Sequence, residues 1–219
     1  MSQLAATPAY SVLVPVKPPA TGKSRLRALG ERARSDLALA FAEDTVTAAL
    51  ACAWVDHVVI VTNDLEVGRR LALVGATVVP DGAHADLNAS LTQAAADLHR
   101  QNGTTRTAAL CADLPALRAE ELDAALSRAS NDAMSFLADA DGVGTTLVAA
   151  PDLERFRPMF GPRSREAHLG ASTVEVSGDL PSVRRDVDTP DHLAAALALG
   201  VGPRTRQAVR RLGLAALPS

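Results

Sequence analysis

"SVLVPVKPPATGKSRL", residues 11–26, decides the fold. An apolar run, Ser11–Val16, breaks into a loop that carries Lys17, Lys23 and Arg25. Thr21-Gly22-Lys23-Ser24 has the form of the second half of a nucleotide-binding P-loop, G-x-x-x-x-G-K-[ST]. Counting five back from Gly22 reaches Lys17, where the motif needs glycine. Pro18 and Pro19 lie between, and proline has no backbone N–H to offer a phosphate. The P-loop reading therefore fails on its own mechanism. What remains is a strand running into a cationic loop, the opening of an α/β sheet, and that loop suggests an anionic ligand.

Outward from that strand, further apolar runs occur at His57–Thr62, Thr77–Pro80, Thr107–Ala112, Met134–Ala138 and Thr145–Ala149, then at Thr173–Val176 and Val183–Val187. Most are unbroken, the pattern of strands covered on both faces. Amphipathic helical patterns fall between the early ones, at about Arg34–Ala51, Leu65–Val74, Asn88–Arg100 and Ala119–Ala129, and a last one spans Pro190–Leu199. Strand-helix alternation predicts a mostly parallel sheet, with ligands beyond the carboxyl ends of the strands. No repeat or long linker interrupts the chain, so a single domain is expected over 1–219, with residues 1–10 as a flexible N-terminus.

At 219 residues such a domain buries roughly 70% of its unfolded surface and needs no staple. Hydrophobic residues make up 47% and aromatics 3%, so Ala, Leu and Val must build the core. A net charge of −3 argues against a nucleic-acid partner, and Arg204, Arg206, Arg210 and Arg211 read as a solvated helix face. The two cysteines, Cys52 and Cys111, form no metal or redox motif and read as small buried hydrophobes. No apolar run reaches the ~20 residues of a membrane span, and no leader pattern is present, so the expected setting is cytoplasmic.

Several motifs follow strands. Lys17, Lys23 and Arg25 suit a polyphosphate; a plain solvated loop remains open. Ala112-Asp113-Leu114-Pro115 sets a carboxylate at the mouth of the sheet, as a magnesium ligand or as an Asx-turn or helix cap. "DADGVGTT", 139–146, offers turn amides to a carboxylate or phosphate, or is a simple hairpin. "RRDVDTPDHL", 184–193, puts Asp186 and Asp188 on one side of an extended segment. Their repulsion is relieved by a divalent cation, unless one merely serves the cap at Thr189-Pro190. "MFGPRSREAHLGAS", 159–172, adds donors for a small carboxylate or phosphate, and His168 is a base, a hydrogen-bonding group or a solvent-facing group.

Taken jointly, "PVKPPATGKSRL", "DLNASL" (86–91), "ADLPAL" (112–117), "GVGTT" (142–146), "FGPRSREAH" (160–168), "RRDVDTPDHL" and "LGVGP" (199–203) resemble the guanylyltransferases of deazaflavin coenzyme F-420 biosynthesis. The resemblance implies a Rossmann-like three-layer α/β/α nucleotidyltransferase fold of the glycosyltransferase-A type, with a mostly parallel mixed sheet. It implies GMP transfer from GTP to a phosphorylated three-carbon acid with release of pyrophosphate. Archaeal members are assigned 2-phospho-L-lactate and actinobacterial ones phosphoenolpyruvate; this Ala/Arg-rich chain is similar to the latter, giving enolpyruvoyl-2-diphospho-5'-guanosine as the expected product. 3-Phosphoglycerate, a sugar-phosphate or molybdopterin-like acceptor, and a non-catalytic nucleotide-binding regulator are the alternatives.

Residue by residue, the resemblance implies that Asp113, Asp186 and Asp188 hold one or two magnesium ions and that Lys17, Lys23 and Arg25 neutralise the triphosphate. Thr146, Gly161 and Ser164 match positions that hold the acid, and Asn88 and Ser90 are candidates for guanosine, although Asn88 can also cap its helix. Family members often carry an arginine just after the Asp of the glycine turn, where this chain has Ala140 and Asp141. The expected partners are GTP and phosphoenolpyruvate, with no nucleic acid or membrane, in a monomer or homodimer that passes its product to the next pathway enzyme.

Overall fold

A computed structural model describes residues 10–17, 30–82, 86–103 and 106–214. The strands are β1 (Tyr10–Pro15), β2 (Val55–Val61), β3 (Thr77–Val79), β4 (Arg106–Leu110), β5 (Ser135–Ala138), β6 (Thr145–Ala150) and β7 (Val174–Glu175). Helices α1 (Glu31–Leu50), α2 (Leu65–Val74), α3 (Leu87–Asn102) and α4 (Ala119–Ser127) lie between them, followed by α5 (Ser164–Gly170), α6 (Pro181–Arg184), α7 (Pro190–Leu199) and α8 (Pro203–Arg211). Lys23 and Arg25 lie outside the described residues. So does the expected flexible N-terminus, apart from Tyr10, which opens β1 and is fully buried.

The strand order is β3-β2-β1-β4-β6-β5-β7. All neighbours are parallel except β6, antiparallel to both β4 and β5, so the sheet is mixed and mostly parallel as expected. Along β1 the unbroken apolar run divides by period two. Val12 and Val14 join a core with Val46 of α1, Leu71 of α2 and Leu122 of α4, while Leu13 joins one with Leu91 and Leu98 of α3. Full burial of each such side chain contributes about 1.5–3 kcal/mol. A third core lies between α1, α7 and α8, around Phe41, Leu193 and Val209.

Local chemistry sets the helix ends. Asp64 accepts from the N–H groups of Glu66 and Val67 to start α2, Asp86 does the same for Asn88 and Ala89 in α3, and left-handed Gly75 and Gly103 end them. Thr189 caps α7 ahead of Pro190, as its sequence predicts. The strand expected at Val183–Val187 is not formed. Pro181 at the first helical position starts the short α6 instead. Val183 and Val187 then enter different cores, the first below the sheet and the second against α7.

Cys52 is buried, as expected, yet it is not a plain hydrophobe. Its Sγ donates to Asp123 Oδ1 at 2.8 Å, and burial, with that carboxylate beside it, pushes the thiol up to about 12. Arg204, Arg206, Arg210 and Arg211 are exposed on α8. Among the described residues no helix is long and apolar enough to cross a membrane.

Candidate active site

The chain builds outward from β1 to β2 and β3, then returns to place β4 on the other side of β1. That reversal opens a crevice at the carboxyl ends of β1 and β4, where open α/β sheets bind ligands. Leu13 and Ala109 are paired across these strands, and four residues beyond each come Lys17 and Asp113. Lys17 is exposed at this edge, just after Val16, whose N–H donates to Val61 O at 3.0 Å.

Asp113 is held by its backbone. From α1, buried Thr45 accepts the Leu114 N–H at 3.1 Å; its own hydroxyl donates to Phe41 O at 2.8 Å and lies 3.2 Å from Ala112 O. On the other side Val187 N–H donates to Asp113 O at 3.1 Å, docking the segment after α6 against the loop after β4. One carboxylate oxygen each from Asp113, Asp186 and Asp188 then lies within 4.8 Å of the others, and all three residues are half-buried. Three like charges this close repel unless a cation stands among them. Hard carboxylate oxygens are also the donor class that magnesium takes.

A second set of contacts braces this cluster. Asp188 N–H donates to His192 Nδ1 at 3.4 Å, while His192 Nε2 lies 3.2 Å from Asp141, which also pairs with Arg185 at 3.3 Å. Asp141, in the glycine turn, thus gathers two basic side chains.

The glycine turn serves itself rather than a ligand. Asp139 accepts from the N–H groups of Val143 at 2.9 Å and Gly144 at 2.7 Å, and its carbonyl accepts from Gly142 N–H at 3.2 Å. The Val143 and Gly144 amides are thus taken up within the turn that joins antiparallel β5 and β6, so of the two readings of 139–146 the simple hairpin is the one formed. A Cβ on Gly144 would collide with the same carboxylate. Thr146, just beyond, lies on β6 with its carbonyl accepting from Cys111 N–H at 2.8 Å. Its hydroxyl is buried and has no hydrogen-bond partner among the described residues.

Gly161 and Ser164 flank a tight turn. Gly161 has φ +148, nothing within 4 Å of where a Cβ would stand, and Arg163 is left-handed at φ 54. Ser164 is buried and its N–H donates to Gly161 O at 3.2 Å. Arg165 N–H donates to Val143 O at 3.1 Å, which docks the start of α5 on the glycine turn. Of the readings open to it, His168 takes the hydrogen-bonding one and not the solvent-facing one. It is fully buried, and its Nε2 accepts the Met159 N–H at 3.1 Å. Burial pushes its imidazole below the ordinary value, opposed in part by the Ser164 backbone.

Asn88 does not cap α3, a role that Asp86 fills. Its amide instead makes a two-point pair with Phe160, donating to the carbonyl at 2.9 Å and accepting the N–H at 2.8 Å, next to Gly161. Ser90 Oγ is buried and donates to Asp81. Asp81 is itself fixed by the same kind of amide pair from Asn63, at 2.7 and 3.0 Å.

Sequence reading missed Thr45, Asp139 and His192 because each acts on backbone supplied by a distant or irregular segment. Only Asp139 leaves a local signal, an acid four and five residues ahead of the amides it accepts.

Three comparisons bear on this geometry. The family model described as "Guanylyl transferase CofC like" matches residues 10–219. A phosphoenolpyruvate guanylyltransferase from Thermomonospora curvata is 47% identical over 205 residues, 93% of this chain and 90% of that protein. One from Streptomyces coelicolor is 47% identical over 208 residues, 94% of this chain and 98% of that protein. Among solved structures, a nucleotidyl transferase from Methanothermobacter thermautotrophicus shares the fold, with a TM-score of 0.62 at 23% identity over 87% of this chain and 97% of that one.

Proposed function

Because this chain belongs to the CofC-like guanylyltransferase family, we propose that it transfers GMP from GTP to phosphoenolpyruvate, releasing pyrophosphate. The observation that carries this reading is the convergence of Asp113, Asp186 and Asp188 at the β1/β4 crevice, in a chain 47% identical to proteins named for that reaction.

An oxygen of the acceptor phosphate attacks the α-phosphorus of GTP. The bond to the bridging oxygen of the β-phosphate breaks, and pyrophosphate leaves with that electron pair. With a second ionisation near about pH 6, the acceptor phosphate is dianionic at neutral pH and needs no general base. The work left to the protein is to align two highly charged partners and to offset charge on the leaving group.

Lys17, with Lys23 and Arg25, meets the triphosphate as side-chain charge. The backbone N–H groups of Thr146 and Gly161 and the hydroxyl of Ser164 receive the carboxylate of the acid, and Asn88 and Ser90 border the guanosine. The three aspartates fit magnesium by donor type and by the mutual approach of their oxygens, and they would hold one or two such ions. When bound, magnesium neutralises and orients phosphate oxygens. A cytoplasmic setting, where both substrates are at hand, agrees with this reading.

The test is mass spectrometry of products after incubation with GTP, magnesium and an equimolar mixture of phosphoenolpyruvate, 2-phospho-L-lactate and 3-phosphoglycerate. The GMP adduct of phosphoenolpyruvate is expected to dominate. A dominant adduct of another acid overturns the acceptor, and the absence of any adduct overturns the activity.

A further inference from the structure

We propose that His168 is a positioning residue for acceptor binding: its buried imidazole locks the strand carrying Thr146 and the turn carrying Gly161 and Ser164 into one relative placement. The inference rests on the reading above in which those three residues receive the acid.

The hydrogen bonds assign the tautomer. Met159 N–H can only donate, so Nε2, 3.1 Å away, must be the acceptor. The ring proton is therefore on Nδ1, which sits 3.1 Å from Thr145 Oγ1, and the imidazole also interacts with the backbone of Ser164. One neutral ring thus touches β6 beside Thr146, the segment leading into Gly161, and the first residue of α5. Its only basic lone pair is occupied, which leaves it no part in proton transfer.

The ring cannot turn away. It stacks on Phe136 of β5 at 5.1 Å between centroids and 17° between planes, and Phe160 meets it edge-on at 6.2 Å and 82°. Phe160 is the residue clamped by Asn88, so two side chains hold adjacent residues, Met159 and Phe160, where the 159–164 turn begins. The side chains facing the imidazole from β5, β6 and the turn are Phe136, Thr145 and Phe160, none of them charged.

A hydrophobic residue in this site fills the space but leaves a buried amide and a buried hydroxyl without their partner. The pocket selects histidine for the geometry of two opposed polar points on a flat body. An acid gripped from both β6 and the turn needs that geometry, because misplacement by about 1 Å can cost on the order of 100-fold in rate.

The experiment compares the full-length wild type with H168F, H168Q and T145V. H168F keeps the flat ring between Phe136 and Phe160 and removes both polar points. H168Q restores an acceptor for the Met159 amide, and T145V removes the Oγ1 contact at constant volume. H168F is expected to raise KM for phosphoenolpyruvate at least about ten-fold while KM for GTP stays within about two-fold, and H168Q to recover most of the loss. Hydrogen exchange of the Met159 amide, which needs no substrate, should quicken in H168F and be restored in H168Q.

An unchanged phosphoenolpyruvate KM in H168F, or equal rises in both KM values with a lowered Tm, overturns the positioning role. Should H168F fail to fold, T145V makes the same discrimination. If the wild type forms no phosphoenolpyruvate adduct, the functional reading fails by itself, and protection of the Met159 amide still decides whether His168 fixes the turn.

Discussion

At the scale of the residue, charge and its placement govern what each candidate does. Lys17→Ala should lower kcat/KM by the equivalent of about 2–4 kcal/mol if, as proposed, this charged donor meets the triphosphate; steady-state kinetics with GTP varied measures it, and an unchanged value leaves Lys17 a solvated loop residue. Asp188→Asn removes one of three crowded carboxylates. It should abolish magnesium-dependent transfer, since a neutral amide is a poor ligand for a hard cation. Activity across a magnesium titration reads the loss, and full transfer at saturating magnesium would refute the metal role. Cys52, with its thiol pushed up to about 12, should resist iodoacetamide at pH 8 in the native protein and react on unfolding. At this scale the carboxylates were legible, since Asp113 follows an apolar run and Asp186 and Asp188 share a D-x-D. His168 was not, because nothing in "SREAHLG" shows that Met159 will aim its N–H at the ring.

At the scale of the element, the ends of helices carry information that periodicity lacks. Asp44 of α1 is 5% exposed and accepts the N–H groups of Arg204 at 3.1 Å and Thr205 at 2.7 Å, capping α8 from a helix 160 residues earlier. Asp44→Ala should cost about 1–3 kcal/mol, since two buried donors lose a charged acceptor. Urea titration tests this, and a loss below a few tenths would mean that water replaces the carboxylate. The long helices and the Val- and Ile-rich strands were legible because each presents an unbroken or periodic apolar pattern. Val183–Val187 misled for the same reason: two valines four residues apart mimic a strand, while Pro181 and the diverging burial of the two side chains make a short helix and a loop. A seven-residue helix such as α5 is too short to show a period at all.

For the molecule as a whole, pH dependence follows from the buried imidazole. His168 titrates below its ordinary value when folded, so the unfolded chain takes up the proton first as the pH falls. Its contribution to stability is complete above about pH 6.5 and is lost as the pH falls from there through the folded value. Chemical denaturation at pH 7.5 and pH 5 should show a loss that is smaller in H168Q, and an equal loss in both proteins would assign the slope to other groups. The sheet order, too, has a temporal meaning. Lys17 lies two residues past β1, whereas Asp186 and Asp188 come after every strand described. The bond from Val187 to Asp113 cannot form until then. A nascent chain can therefore lay down β1 to β4 while it lacks two of its three carboxylates, so under the proposed role of those carboxylates a chain stalled before residue 186 should show no transfer at all.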